Sequence, residues 1–121
     1  GIEEALVQLL AIPYHVLNIC TGDLGTPAAS KYDIECWMPS QNKYRETHSC
    51  SNCTDWQSRR LNIRYRNQQT NNNEFVYTLN GTAFALGRIM IAIMENYQQR
   101  DGSIKIPKVL QSYTGFKRIK K

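Results

Sequence analysis

No stretch of this 121-residue chain approaches the roughly 20 consecutive apolar residues that a membrane-spanning helix requires. No charged-then-apolar leader opens at Gly1. The expectation is a soluble, cytoplasmic protein. Cysteine is sparse: Cys20, Cys36, Cys50 and Cys53 are separated by 15, 13 and two residues, which leaves one close pair. A C-x-x-C pair can signal zinc or thiol redox chemistry, but a zinc site ordinarily brings a second close pair. Cys20 and Cys36 stand singly in apolar, strand-like runs, where cysteine usually serves as a small buried hydrophobe. No zinc is expected. The chain also lacks internal repeats and any linker that would divide it. Its length is that of one domain, and a hydrophobic content of 41% is enough for a modest core.

Acidic residues are missing after Asp101, and the net charge is +5. Such a balance invites a nucleic-acid partner, so its distribution matters. Lys117, Arg118, Lys120 and Lys121 crowd the end of the chain, where Phe116 is the one neighbouring aromatic. A groove reader interleaves its cations with stacking rings, so this tail reads as a solvated terminus. Arg59, Arg60, Arg64 and Arg66 form a second cluster.

The pattern along the chain is that of an α+β domain. Glu3 to Ile12 places Ala5, Leu6, Leu9, Leu10 and Ile12 at helical spacing, and Pro13 ends it. Tyr14 to Cys20 alternates and reads as a strand, followed by a loop from Thr21 to Ser30 with Gly22, Gly25 and Pro27. Lys31 to Met38 is a second strand stopped by Pro39, and Tyr44 to Ser51 returns as a third, giving an antiparallel hairpin. Thr54 or Asp55 can cap a helix reaching about Ile63. Asn67 to Asn73 is a polar loop, expected to be the most mobile segment, and Phe75 to Leu79 is expected to be the fourth strand. Ile104 to Leu110 packs back after a turn at Asp101-Gly102. Together these elements predict an antiparallel sheet flanked by helices.

The most telling stretch runs from Leu79-Asn80-Gly81-Thr82 through Arg88 into Ile89-Met90-Ile91-Ala92-Ile93-Met94. Asn-Gly is a turn former, so the expectation is a helix from Thr82 to about Gln98, apolar around nearly its whole circumference and therefore buried. Arg88 would lie about two turns inside it. A buried cation needs a partner. Arg is favoured where a carboxylate or phosphate is gripped by a planar fork of donors, and both partners remain open on the residues alone.

This stretch resembles motif 3 of the class II aminoacyl-tRNA synthetases, the serine-specific branch in particular. Cys20-Thr21-Gly22-Asp23-Leu24-Gly25, Tyr32 to Pro39, Tyr44-Arg45-Glu46, Ser49-Cys50-Ser51-Asn52 and Asp55 to Leu61 are similar to consecutive blocks of the same family. The likeness runs from about Leu9 to Leu110. It implies the class II catalytic fold and an ATP-dependent, AMP-forming ligase that makes seryl-adenylate and passes serine to tRNA(Ser).

The resemblance also implies roles. Glu46, Thr47, His48 and Ser49 match the family's Glu-x-Ser-Ser stretch, which binds ATP, and His48 departs from it where Ser is usual. Glu46 and Ser49 would hold Mg²⁺ with the ATP, since a hard cation takes oxygen ligands. They are three apart on a strand, which normally means opposite faces, so acting together requires a twist, a bulge or a bridging ion. Arg88 would meet the ATP phosphates. Asn80 and Thr82 would line the serine pocket at the mouth of the motif 3 helix, with Gly81 permitting close approach of the backbone. No side chain need be a nucleophile, because positioning and charge neutralisation carry the chemistry. Arg59, Arg60, Arg64 and Arg66 are expected to be buried and paired in the wall of the site. On this reading residues 1–121 are the C-terminal portion of a catalytic domain, with motifs 1 and 2 and the tRNA-binding arm outside the chain. The parent would be a homodimer, and the isolated piece inactive. A different class of reading is a stand-alone synthetase-like module that binds a nucleotide or RNA.

Overall fold

The computed structural model describes residues 1–120. Its centre is a four-stranded, wholly antiparallel sheet in the order β1 (Tyr14–Asn18), β2 (Ser30–Met38), β3 (Lys43–Thr54), β6 (Thr78–Thr82). Two helices, α1 (Ile2–Leu10) and α3 (Leu86–Tyr97), cover one face. Even-numbered residues of β2 point to that face. Ile34, Cys36 and Met38 pack there against Val7 and Leu10 of α1 and against Ile89 and Ala92 of α3, with Ile12 completing the core. The antiparallel, helix-flanked architecture is the expected one.

Several boundaries differ from the expectations, each for a physical reason. Helix α1 stops at Leu10, because Ala11 takes a left-handed conformation and Ile12, preceding Pro13, is steered away from helix. Strand β1 ends at Asn18, and Cys20 is exposed beside a short 3₁₀ turn at Thr21–Asp23, so only Cys36 of the two lone cysteines is a buried hydrophobe. The largest shift lies at Asn80-Gly81. These residues do not open a helix: they form ladder pairs with Ser51 and Cys50, and α3 starts only at Leu86. Long β3 offers a partner edge, and that pairing overrides the local turn preference. Gly81 faces α1, where an added Cβ would lie 3.3 Å from both a Glu3 carboxylate oxygen and the Ser49 carbonyl oxygen. Helix α3 is not buried all round either. Leu86, Met90, Ile91 and Met94 are exposed on its outer side.

Between β3 and β6 the chain forms α2 (Trp56–Leu61) and a small ribbon of β4 (Arg64–Arg66) and β5 (Asn73–Phe75). Phe75 thus belongs to the ribbon and not to the central sheet. The polar segment expected to be a mobile loop closes the ribbon as a hydrogen-bonded turn. Asn67 accepts from the Gln69 amide and donates to Glu74, and its carbonyl accepts from the Asn71 amide, the local bonding that makes Asn a turn residue. At the other end, β7 (Ile104–Lys105) pairs with β8 (Arg118–Ile119), following α4 (Gln111–Thr114). Lys117, Arg118 and Lys120 of the tail are exposed as expected, but Arg118 and Ile119 fold back into a ladder; Lys121 lies outside the described residues.

One buried group makes folding pH-dependent. His48 has no exposed surface; its Nδ1 lies 2.8 Å from the Thr47 hydroxyl, its ring packs on Phe84, and its Nε2 has no partner among the described residues. Burial pushes its pKa below the ordinary histidine value. The unfolded chain therefore binds this proton first as pH falls. Stability from His48 is complete above about pH 6.5 and is lost as pH drops through that value toward the lower folded one. Thermal unfolding at neutral and mildly acid pH is expected to show this decline, and His48→Gln to flatten it. An equal decline in the variant would assign the effect to other groups.

Candidate functional site

The face of the sheet away from α1 and α3 is polar, and an irregularity in β3 shapes it. Glu35 pairs with Glu46 but Ile34 pairs with His48, so Thr47 is an extra residue opposite the join. Such a bulge sends both Thr47 and His48 to the core side, where each is fully buried. It also resets the alternation. Glu46 and Ser49, three residues apart, come to the same face, beside Glu35 and Asp33 of β2.

Register then extends the face across three strands. Asp33, Ser49 and Thr82 form one transverse row, and Lys31, Ser51 and Asn80 the next. Lys31, Ser49, Ser51, Asn80 and Gln57 line a cavity of about 250 Å³, closed on one side by Leu24, Pro27 and Ala28 of the loop before β2. Among the described residues, the side chains of Ser49, Ser51, Asn80 and Thr82 engage in no hydrogen bond within the protein, leaving four polar groups free for a ligand. Asn80 and Thr82 reach this position from a strand and not from the mouth of a helix.

Arg88 approaches from the side. Because β6 pairs only with Ser49–Thr54, the Lys43–His48 part of β3 is an edge, met by the Ala85 amide at the Thr47 carbonyl. Arg88, the third residue of α3, reaches this edge and donates to Glu46 at 3.3 Å, with its side chain 49% exposed. It is neither enclosed in an apolar wall nor two turns inside the helix. Glu35, Tyr44, Glu46 and Arg88 line a second cavity of about 380 Å³. An ion pair this long and this open contributes little to stability, so either partner can leave it for a ligand at small cost.

Sequence reasoning missed Lys31 and Asp33. Asp33 is 6% exposed, bonds Lys31 at 3.0 Å through one oxygen, and among the described residues has no partner for the other. Burial pushes its carboxyl up, against the lowering effect of Lys31, while Glu46 and Glu35 add to the rise. The bond to Asp33 raises the Lys31 pKa in turn. The alternation Lys31-x-Asp33-x-Glu35 was the available signal, since it marks one polar face of a strand. Of the expected ATP-binding four, only Glu46 and Ser49 present side chains to the open face; Thr47 and His48 turn to the core. The Arg cluster is exposed, not buried, and among the described residues Arg59 alone of the four has a carboxylate partner, Asp55 at 2.7 Å. Cys50 and Cys53 do not face each other as a chelating pair would: Cys50 is exposed and Cys53 buried.

The family model for the tRNA synthetase class II core domain (G, H, P, S and T) matches residues 2–97. The chain belongs to the class II tRNA synthetases. Among sequence relatives, the serine–tRNA ligase of Pyrococcus abyssi is 61% identical over 116 residues, covering 96% of this chain and 26% of the relative. That of Dictyoglomus turgidum is 60% identical over 120 residues, covering 99% and 28%. Among solved structures, seryl-tRNA synthetase from Pyrococcus horikoshii complexed with ATP superposes with a TM-score of 0.92 at 61% identity, over 97% of this chain and 26% of that one. The cytoplasmic serine–tRNA ligase of Naegleria fowleri in complex with AMP gives 0.86 at 48% identity, over 98% and 28%. This synthetase domain thus spans about a quarter of the length of the relatives it matches.

Proposed function

We propose that this class II synthetase chain is the C-terminal portion of the catalytic domain of a serine–tRNA ligase, a homodimeric cytoplasmic enzyme, and that its open sheet face holds ATP and serine. The observation that carries the proposal is the bulge at Thr47, which gives Glu46 and Ser49 a common face within reach of Arg88. Two oxygen donors there suit Mg²⁺. Among the described residues, no group of three or more His, Cys, Asp or Glu side chains converges on a metal position. An ion held by Glu46 and Ser49 would complete its shell with phosphate oxygens and water, the habit of Mg²⁺. When bound, it would supply neutralisation of phosphate charge.

The roles of the chain's own residues follow from their placement. A serine carboxylate oxygen bonds the α-phosphorus of ATP while the bond to pyrophosphate breaks. Arg88 exchanges Glu46 for a phosphate oxygen, a charge-assisted contact stronger than the open ion pair it replaces. Asn80 and Thr82, free and adjacent on one face, pair the serine hydroxyl. A site built to hydrogen-bond a hydroxyl rejects an analogue lacking it far better than one built to exclude bulk. Nothing here needs a covalent intermediate on the enzyme. The seryl group then passes to the terminal ribose of tRNA(Ser).

The reading as a stand-alone nucleotide- or RNA-binding module is weaker, because 60% identity runs over nearly the whole chain and Glu46, Ser49, Asn80 and Thr82 share the polar face. The test is serine-dependent exchange of pyrophosphate into ATP. The longer protein carrying this chain is expected to exchange with serine and not with alanine, and the 121-residue chain alone to show none. Exchange by the isolated chain, or serine-independent exchange by the longer protein, would contradict the proposal.

A further inference from the structure

We propose that the exposed arginines of α2 and the β4–β5 ribbon form a contact surface for the phosphate backbone of RNA, beside the cleft and separate from its ATP-binding groups. This rests on the tRNA ligase reading for the identity of the nucleic acid. Residues 56–79 hold four Arg and a single acid, Glu74. Glu74 is occupied by the Tyr65 hydroxyl, Asn67 and Thr70. Arg60, Arg64 and Arg66 form no ion pair among the described residues. An unpaired cation on a surface is ordinary; one on α2 and two on the adjoining ribbon, each held in place by neutral groups, form a built surface.

The way they are held fits phosphate. The Arg60 guanidinium lies 3.2 Å from the Trp56 ring centroid, and that of Arg64 lies 4.3 Å from Phe75. Stacking on a ring orients the planar fork with its edge outward and reduces the ordering required on binding. Asn62 and Asn71 accept from the Nε of Arg64 and Arg66, leaving terminal nitrogens available. Tyr65 and Tyr77 are exposed beside them, at 46% and 74%. Cations interleaved with rings match a nucleic-acid strand better than an acidic protein surface. The location agrees as well: Gln57, on the same helix as Arg60, lines the cleft with Asn80 and Ser49. A strand end entering that cleft would carry its backbone across the ribbon.

The test uses this chain and a fluorescein-labelled RNA hairpin with a single-stranded end, followed by polarisation over a salt series. Each phosphate neutralised contributes about 0.7 to 0.9 to the slope of log affinity against log salt. The combined variant Arg60→Ala, Arg64→Ala, Arg66→Ala is expected to bind at least about tenfold more weakly, with the slope shallower by about 2. An equal charge removal elsewhere, Lys108→Ala, Lys117→Ala, Lys120→Ala, is expected to change both far less. Since Arg60 and Arg64 also pack on rings, Arg66→Glu alone is the second variant; among the described residues Arg66 stacks over no ring, and its change should weaken binding in the same direction. Equal losses in the ribbon and control variants, wild-type binding in Arg66→Glu, or no RNA binding by the parent chain would each overturn the inference. Pyrophosphate exchange requires no RNA, so its persistence in the longer protein would leave the proposed function standing.

Discussion

Arg88→Ala in the longer protein is expected to slow serine-dependent pyrophosphate exchange by about 10²- to 10³-fold, the usual loss when one preorganised donor to a transition-state oxyanion is removed. RNA binding should stay near the parent value. The fold should also survive, because Arg88 is half exposed and its one partner among the described residues is Glu46 at 3.3 Å. Glu46 keeps solvent access once the arginine is gone, so no charge is left buried. Exchange kinetics, with a thermal melt as the control, separate the two roles. A variant with parent-like exchange would make Arg88 a surface ion-pair partner and nothing more.

Thr82→Val probes the other half of the site. Valine matches threonine in shape and suits a strand, so the Ser49–Thr82 pairing should persist. Only the hydroxyl is lost. The kcat/KM for serine is expected to fall about 10- to 100-fold, and the preference for serine over alanine to shrink by a similar factor. An unchanged preference would remove Thr82 from the serine pocket and leave discrimination to Asn80 and groups outside this chain.

The central hairpin was legible because its determinants are local. Alternation in Lys31 to Met38 and the stop at Pro39 suffice to place β2. The bulge at Thr47 was not legible, since it exists only as a mismatch between two paired strands. The residue spacing did pose the question it answers, how Glu46 and Ser49 share a face. The start of α3 was misread for a related reason. Asn80-Gly81 has strong turn chemistry, and a non-local partner, Cys50-Ser51 on β3, outweighed it. Strand preference depends on what a residue pairs with more than on the residue. The Arg-rich ribbon escaped notice as structure because β4 and β5 are three residues each and largely exposed, too short to show a period. Asp33 escaped because a strand acid reads as a solvated one until its neighbours enclose it.

The most direct measurement is a crystal structure of the longer protein with serine and a non-hydrolysable ATP analogue. The account predicts that the Arg88–Glu46 contact opens, that the guanidinium lies on a phosphate oxygen, and that Glu46 and Ser49 face the nucleotide from one side of β3 with Asn80 and Thr82 around the serine hydroxyl. A nucleotide bound elsewhere, with the Arg88–Glu46 pair intact, would contradict it.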